Sequence, residues 1–300
     1  MKFAAWMASS SVVAFCVLAS AKTPGIETAE PAAPIVYLLK DAEGVVNGHA
    51  GRLKADGDRT RGAYSLVVRG PYNSPGPEAH THSHLVEAWL ITEGALKFQT
   101  RERVLNAPAG TFVLVPPGVE HRFWTEPGQQ VKVVQLISPP GFEKFLDERF
   151  KLPGYDPART QAEQSTEWKK AAEELASKYG GGAAEVHSDL PPRVIGPEEG
   201  WVSASPNDRQ RILADFTHTG GAYQLIERRY SPGKALPWIS ATQDEAFYIV
   251  SGGFTVQLRD RSFALVAGDF LFLPRKTEHR LRNTSTAPAQ VVILASKGSL

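Results

Sequence analysis

The stretch His80-Thr81-His82-Ser83-His84-Leu85-Val86-Glu87 sets three histidines on alternate positions, with a carboxylate close behind. In an extended chain the side chains alternate faces, so His80 and His82 point to one side. Glu87 follows after a turn, opening the next extended run. His121 comes later, beyond Gly110 and a Pro116-Pro117-Gly118 turn. Three imidazoles and one carboxylate brought together inside a barrel make a site for a divalent first-row metal. Two alternating histidines alone are most often ordinary surface or core residues. Here the spacing of the surrounding glycines and prolines gives them more weight.

The elements that must position these residues read as β-structure. Tyr64 to Val68, Ala88 to Ile91, Thr111 to Val115 and Val131 to Leu136 are short runs rich in β-branched and aromatic residues, punctuated by Gly and Pro. That is the pattern of a sandwich or barrel. It also occurs twice. Glu87-Ala88-Trp89-Leu90-Ile91 has a partner in Glu245-Ala246-Phe247-Tyr248-Ile249, 158 residues on. The same offset carries Gly110 to Gly268, Pro116 to Pro274 and His121 to His279, while Gly62-Ala63-Tyr64 matches Gly221-Ala222-Tyr223 at 159. Between the copies Phe142, Phe145, Leu146 and Phe150 recur at helical spacing. A second helix is expected over about Gln161 to Tyr179, opened by a Thr160/Glu163 capping box and closed by Gly180-Gly181-Gly182. The expected organisation is a leader at 1–21, an extension at 22–35, barrel 1 at 36–140, a helical linker at 141–195 and barrel 2 at 196–300.

Composition narrows the partners. A formal net charge of +1 and no long Lys/Arg run argue against a nucleic-acid or membrane-surface role. At the N-terminus, Lys2, the apolar run Val12 to Leu18 and Ala19-Ser20-Ala21 have the form of an export signal, too short in its apolar part to span a bilayer stably. Cys16 is the only cysteine. The mature chain would then hold no disulfide and no thiol ligand. The expectation is a soluble protein, secreted or, in a bacterium, periplasmic, with no membrane contact after signal removal.

The histidine cluster and its flanks resemble the cupin superfamily. The first cupin motif, G-x5-H-x-H-x(3,4)-E-x6-G, is matched by His80, His82, Glu87 and Gly94, with Gly76 standing two residues from the place of the leading glycine. The second, G-x5-P-x-G-x2-H-x3-N, is matched by Gly110, Pro116, Gly118 and His121, with Thr125 in place of the final Asn. The resemblance implies an all-β bicupin: two jelly-roll-like barrels joined by a helical linker. His80, His82, Glu87 and His121 would be the metal ligands of the first. His84 falls outside the motif and is expected in a solvated turn. In the second copy Trp238 and Ser240 are expected where the two histidines would be, while Glu245 and His279 remain; two ligands rarely hold a divalent ion against water. The second barrel is therefore expected to lack a metal. Asn283 completes the second motif there and also opens an Asn283-Thr284-Ser285 glycosylation sequon.

Within the cupins the architecture is similar to that of the quercetin 2,3-dioxygenase group. The resemblance implies one divalent transition metal per chain (Cu, Fe, Ni or Mn, with Zn the weaker candidate), dioxygen, and a flavonol or related polyphenol. Glu87 would be both ligand and the base that takes the substrate proton. Strand alternation from Glu87 and His121 places Trp89, Ile91 and Phe123 on the ligand side, and Tyr64 is a further substrate-binding candidate. No arginine is evident at an inward position near the motif, which argues against a small anionic substrate such as oxalate. Two alternatives remain open: a non-oxidative metal-dependent cyclase, dehydratase or isomerase of an aromatic or polyketide-like metabolite, and a non-catalytic binding bicupin. A homodimer is compatible with the sequence. Imidazoles bind metal only when neutral, so affinity should fall as pH drops toward and below about 6.5.

Overall fold

The four apolar runs singled out above are strands, and each buries both faces. The computed structural model describes residues 36–46, 51–100, 103–156, 159, 162–179, 191–205 and 207–297. The expected leader and extension lie outside the described residues. In chain order the first half comprises β1 (Tyr37–Leu39), β2 (Val45–Val46), β3 (Gly51–Ala55), β4 (Ser65–Tyr72), β5 (Val86–Thr100), β6 (Arg103–Pro108), β7 (Phe112–Val115), β8 (His121–Trp124) and β9 (Val131–Ser138). The connecting segment carries α1 (Phe142–Glu148), a 3-10 turn (Arg149–Lys151) and α2 (Thr166–Lys178). The second half comprises β10 (Arg193–Ile195), β11 (Val202–Ser205), β12 (Asp208–Ala214), β13 (Tyr223–Tyr230), β14 (Ile239–Ser240), β15 (Asp244–Ser251), β16 (Gly253–Leu258), β17 (Ser262–Val266), β18 (Phe270–Leu273), β19 (Glu278–Asn283) and β20 (Ala289–Ser296).

The chain is all-β, built as two jelly-roll-like barrels joined by a helical linker. In the first barrel the strand order is β10-β7-β5-β9-β4-β3-β2, with β6 and β8 pairing on the far half of β5. The second has one sheet ordered β1-β18-β15-β20-β13-β12-β11 and another ordered β14-β19-β16-β17. The barrels exchange strands. Residues 37–39, expected at the start of the first barrel, pair with β18 of the second (Tyr37↔Phe272). Residues 193–195, at the end of the linker, pair with β7 of the first (Val194↔Val113).

Alternation explains why the two barrels press together. On β5 Trp89 and Ile91 point into the first barrel with Val113, Val131 and Val133. The intervening Ala88 and Leu90 point the other way, into a core shared with Leu225, Ala246, Phe272 and Leu294 of the second barrel. A strand apolar on both faces can only lie between two cores. Arg211 adds a polar tie across the same boundary. Its guanidinium is buried, donating to Glu227 Oε2 (2.5 Å), to the Gly196 carbonyl (2.5 Å) and to the Gly110 carbonyl of the first barrel (2.6 Å).

The linker folds back onto the first barrel. Phe142, Phe145 and Leu146 of α1 are buried against Leu85 and Ile137. The second helix begins at Thr166, later than the sequence spacing suggests, because Ser165 rather than Thr160 caps it: the Ser165 side chain accepts from the Trp168 N–H. Thr160 and Gly180-Gly181-Gly182 lie outside the described residues. Trp168 reaches back to donate to the Arg149 carbonyl (2.9 Å), which locks α2 onto the 3-10 turn.

Replacing Arg211 by Ala leaves the buried Glu227 carboxylate without its cation, with only the Gln290 amide donating to it, and should cost about 3–5 kcal/mol of unfolding free energy. Denaturant titration checks this; a loss below about 1 kcal/mol, the size expected of an exposed pair, would show that the tie is not structural.

Candidate metal centre

His80 and His82 lie on the extended segment before β5, and a reciprocal bridge fastens that segment to β8. The His80 N–H donates to the His121 carbonyl (3.0 Å), and the His121 N–H to the His80 carbonyl (2.9 Å). Glu87 stands near the start of β5, flanked by Val115 of β7 and Ile137 of β9. One ligand atom from each of His80, His82, Glu87 and His121 lies within 4.8 Å of all the others. His82, Glu87 and His121 are buried, and His80 is half-buried.

Backbone carbonyls set the ring orientations. His80 Nδ1 donates to the Glu78 carbonyl (2.8 Å) and His121 Nδ1 to the Val119 carbonyl (3.0 Å). A neutral ring with its proton on Nδ1 turns a bare Nε2 lone pair inward, as a metal ligand must. His121 Nε2 and His82 Nε2 both face Glu87 Oε2, at 3.2 and 3.1 Å. His121 thus has an acceptor at each nitrogen but, when neutral, only one proton. A divalent cation among the four groups resolves this conflict, since each then offers a lone pair. The donor set fits such an ion. Gln135 Nε2 holds the other carboxylate oxygen, Glu87 Oε1, at 3.1 Å.

The electrostatics follow. Burial pushes the Glu87 carboxyl up, but the charge of His82 and the hydrogen bonds from His121 and His82 outweigh it and hold the group well below the carboxylate range. Burial, reinforced by the positive charge of His121 and His82, pushes His80 down to about 3.

A cavity of about 800 Å³ opens beside these four residues, between the mouth of the first barrel and the linker. Its apolar wall is aromatic: Phe123 from β8, Phe142, Phe145 and Phe150 from the α1 region, Tyr155, and Trp168 from α2. Phe142 packs edge-on against the His82 ring (4.8 Å), so the linker touches a ligand directly. Of the aromatic and aliphatic candidates read from sequence, Phe123 lines this cavity. Trp89 and Ile91 do face inward but lie deeper, in the barrel core, with Trp89 against His121 (5.7 Å), Phe98 and Phe123. Tyr64 is not in the site. It sits on the opposite face of the sheet, edge-on to Tyr223 in the core between the barrels (5.5 Å).

The side of β4 opposite Tyr64 therefore faces the cavity, and it presents Arg69. Together with Arg149 this corrects the expectation that no arginine faces inward. A register shift between Arg69 and Tyr72 lets Tyr72 face the same way. Gly70 makes the bend possible: its φ is 109°, and a Cβ there would meet the Val131 carbonyl at 2.3 Å. His84 is exposed, with Nδ1 2.8 Å from Ser83 Oγ, and takes no part in the cluster.

The second barrel keeps half of this arrangement. His279 Nδ1 donates to the Thr277 carbonyl (2.9 Å) and Nε2 lies 3.2 Å from Glu245 Oε2. The hydrogen-bond register corrects the two missing positions. Ile239 pairs with His279 as His80 pairs with His121, and the Ala241 carbonyl accepts from Lys276 N as the His82 carbonyl accepts from Gly118 N. Ile239 and Ala241, not Trp238 and Ser240, stand in for the histidines, and neither side chain can ligate. Trp238 instead lies under Arg259 (4.1 Å) and Arg280 (5.1 Å). Asn283 is buried, its amide donating to the Tyr230, Ser231 and Ala287 carbonyls and accepting from Ser285 N. In the fold it is a structural residue. Thr125 does the same work in the first barrel, exchanging hydrogen bonds with the Ser74 backbone.

Known proteins resemble this chain in sequence and in fold. The family model described as a Cupin domain matches residues 227–295, and one described as an AraC-like ligand binding domain matches 64–190. Quercetin 2,3-dioxygenase of Bacillus subtilis (strain 168) is 21% identical over 288 residues, covering 88% of this chain and 83% of its own. Among solved structures, oxalate decarboxylase of Lactobacillus farciminis in complex with formate superposes with a TM-score of 0.59 at 15% identity, over 92% of this chain and 90% of its own. A glyoxylate-induced protein of Pseudomonas aeruginosa gives 0.59 at 11% identity, over 92% and 95%.

Metal analysis of point variants separates the barrels: His121→Ala should lose its metal and His279→Ala should keep it, and the reverse would move the working site to the second barrel. The metal-free protein should also respond to acid. The unfolded His80 titrates near 6.5 and the folded one near 3, so the unfolded state binds more protons between these values and stability falls as pH drops through that window. Thermal unfolding of metal-free protein from pH 7 to pH 4 should show a steeper decline than the His80→Gln variant does; equal slopes would remove His80 as the cause.

Proposed function

The chain is a bicupin, a member of the cupin superfamily, and from that premise we propose that it is an exported metal-dependent dioxygenase acting on a flavonol or related aromatic enol. The observation that carries the proposal is the convergence of three imidazoles and a carboxylate within 4.8 Å, at the inner end of a cavity walled by aromatic rings. Rings of that kind favour a planar aromatic substrate through offset and edge contacts. The likeness to a quercetin 2,3-dioxygenase along nearly the whole chain supports the oxidative chemistry. The Lys2 start, the apolar run to Leu18 and the Ala19-Ser20-Ala21 site support export.

His80, His82, Glu87 and His121 would hold the ion, which would supply charge stabilisation for a substrate oxygen and redox chemistry with dioxygen. The chain's own residues do the rest. Glu87 is the only carboxylate in the ligand cluster, and its oxygens are the bases nearest to a hydroxyl brought there. Gln135 fixes one of those oxygens and thereby aims the other. Phe123 and Phe142 confine the substrate ring and keep water from the reacting face.

About one copper, iron, nickel or manganese per chain, with oxygen uptake on adding a flavonol, is the expected result for protein purified without chelators. Glu87→Gln should lower turnover by about 10²–10⁴-fold, the range for loss of a general base. Conversion of an aromatic substrate without oxygen uptake would replace this proposal with the non-oxidative one. Tight binding with no product would make the protein a binding bicupin.

A further inference from the structure

Three of the cavity's polar groups serve neither the metal cluster nor the fold. Arg69 Nε, Tyr72 OH and Arg149 Nε are buried without a hydrogen-bond partner. Neither guanidinium is in an ion pair with any described residue. Arg149 lies over the Phe150 and Phe145 rings, at 4.6 and 5.5 Å, which orients the group without supplying an anion. Glu87 attracts both arginines from within the cavity, but its oxygens are taken by His82, His121 and Gln135. A divalent ion at the cluster would add further positive charge.

Both arginines are half-buried, and holding two cations without an anion in one partly enclosed cavity is costly. The cost is offset if an anion enters with the substrate. The donors also come from different elements: Arg69 and Tyr72 from β4 in the barrel wall, Arg149 from the turn after α1 in the linker. Burial raises the Tyr72 phenol above its usual value, against the pull of Arg69, so at neutral pH it keeps a proton to donate. Burial, with the charge of Arg69 adding to it, brings Arg149 down to about 10, still cationic at neutral pH. A carboxylate is the anion that suits this set, since its two oxygens match the forked N–H donors of guanidinium.

We propose that Arg69, Tyr72 and Arg149 form a carboxylate subsite in the cavity beside the metal cluster, and that the substrate is an aromatic acid whose carboxylate lies apart from the oxygens offered to the metal. The subsite stands on the arginines themselves; only the part about metal-binding oxygens rests on the proposed function above.

The test compares 3,4-dihydroxybenzoate with its neutral isostere 3,4-dihydroxybenzamide by calorimetric titration, on both metal-loaded and metal-free protein. The acid should bind about tenfold more tightly than the amide in both forms, as expected for charge-assisted bonds. Arg69→Gln and Arg149→Gln should each reduce that preference to about threefold or less while changing the amide's affinity little. Arg149→Lys, which keeps the charge but not the fork, should retain part of it. Unfolding midpoints report on folding: removing a half-buried cation that has no anion beside it should leave the midpoint unchanged or raise it. Equal binding of acid and amide, weak or strong, overturns the subsite, as does a preference that survives both substitutions. If no flavonol supports oxygen uptake yet the acid preference holds, the dioxygenase proposal fails and the subsite stands. Oxygen uptake with no acid preference overturns the subsite and leaves the dioxygenase proposal standing.

Discussion

An ionised carboxylate inside a barrel is the constraint around which the first half of this chain is organised. Glu87 is 2% exposed, and a charge so placed must be met by partners or neutralised. The partners come from three separate segments, His82 before β5, His121 at the start of β8 and Gln135 on β9, while β5 carries the carboxylate. Their positions are held by main-chain hydrogen bonds and not by the side chains alone. The reciprocal His80–His121 bridge and the carbonyls of Glu78 and Val119 fix where the His80 and His121 rings stand and which nitrogen each turns inward. The cluster is thus prepared for a cation by the same ladder that makes the barrel.

The duplicated frame shows what such a ladder preserves and what it does not. Ile91 and Gly110 exchange bonds with Thr111 and Ile91 as Ile249 and Gly268 do with Asp269 and Ile249. Thr60 caps the Tyr64 carbonyl as Thr219 caps that of Tyr223, at 2.6 Å in both. Side chains facing the barrel interior are under no such rule. The segment that supplies His80 and His82 in one copy supplies Ile239 and Ala241 in the other, with the main-chain pairing intact. The Glu245 carboxyl left behind is raised by burial, against the opposing charges of His279 and Arg228. With only His279 beside it, it lacks the second imidazole and the amide that hold Glu87 down.

The sequence made the ligands legible because their spacing is imposed by turns: Gly94, Gly110, Pro116 and Gly118 allow few other paths for the chain. It made the repeat legible for the same reason. Two failures have a single cause, the period of two along a strand. Placing Tyr64 inward reversed the parity of β4 and hid Arg69, because a slip of one residue exchanges the faces of a strand. Likewise the offset passes from 159 to 158 in the turn before Glu245, beyond Ala241, so a single offset pointed to Trp238 and Ser240. The helical spacing of Phe142, Phe145 and Leu146 was visible, but nothing in it says which barrel it covers.

That last point bears on how such a protein could change substrate. The four residues that could hold a metal all belong to the first barrel and its ladder, whereas Phe142, Phe145, Arg149, Phe150, Tyr155 and Trp168 in the cavity wall belong to the connecting segment. The two sets meet where Phe142 lies on the His82 ring and where Ser65 on β4 donates to Glu143. A substitution at Arg149 or Phe150 changes the wall of the cavity without touching the ladder that holds His80, His82, Glu87 and His121. A substitution in β5 or β9 disturbs both cores at once, because those strands are apolar on both faces. The His/Glu cluster and the cavity wall therefore lie in parts of the chain under different structural demands. The strand exchange keeps them in register: β10, at the end of the linker, pairs with β7 of the first barrel, and α1 at its start packs on Leu85 and Ile137 of the same barrel.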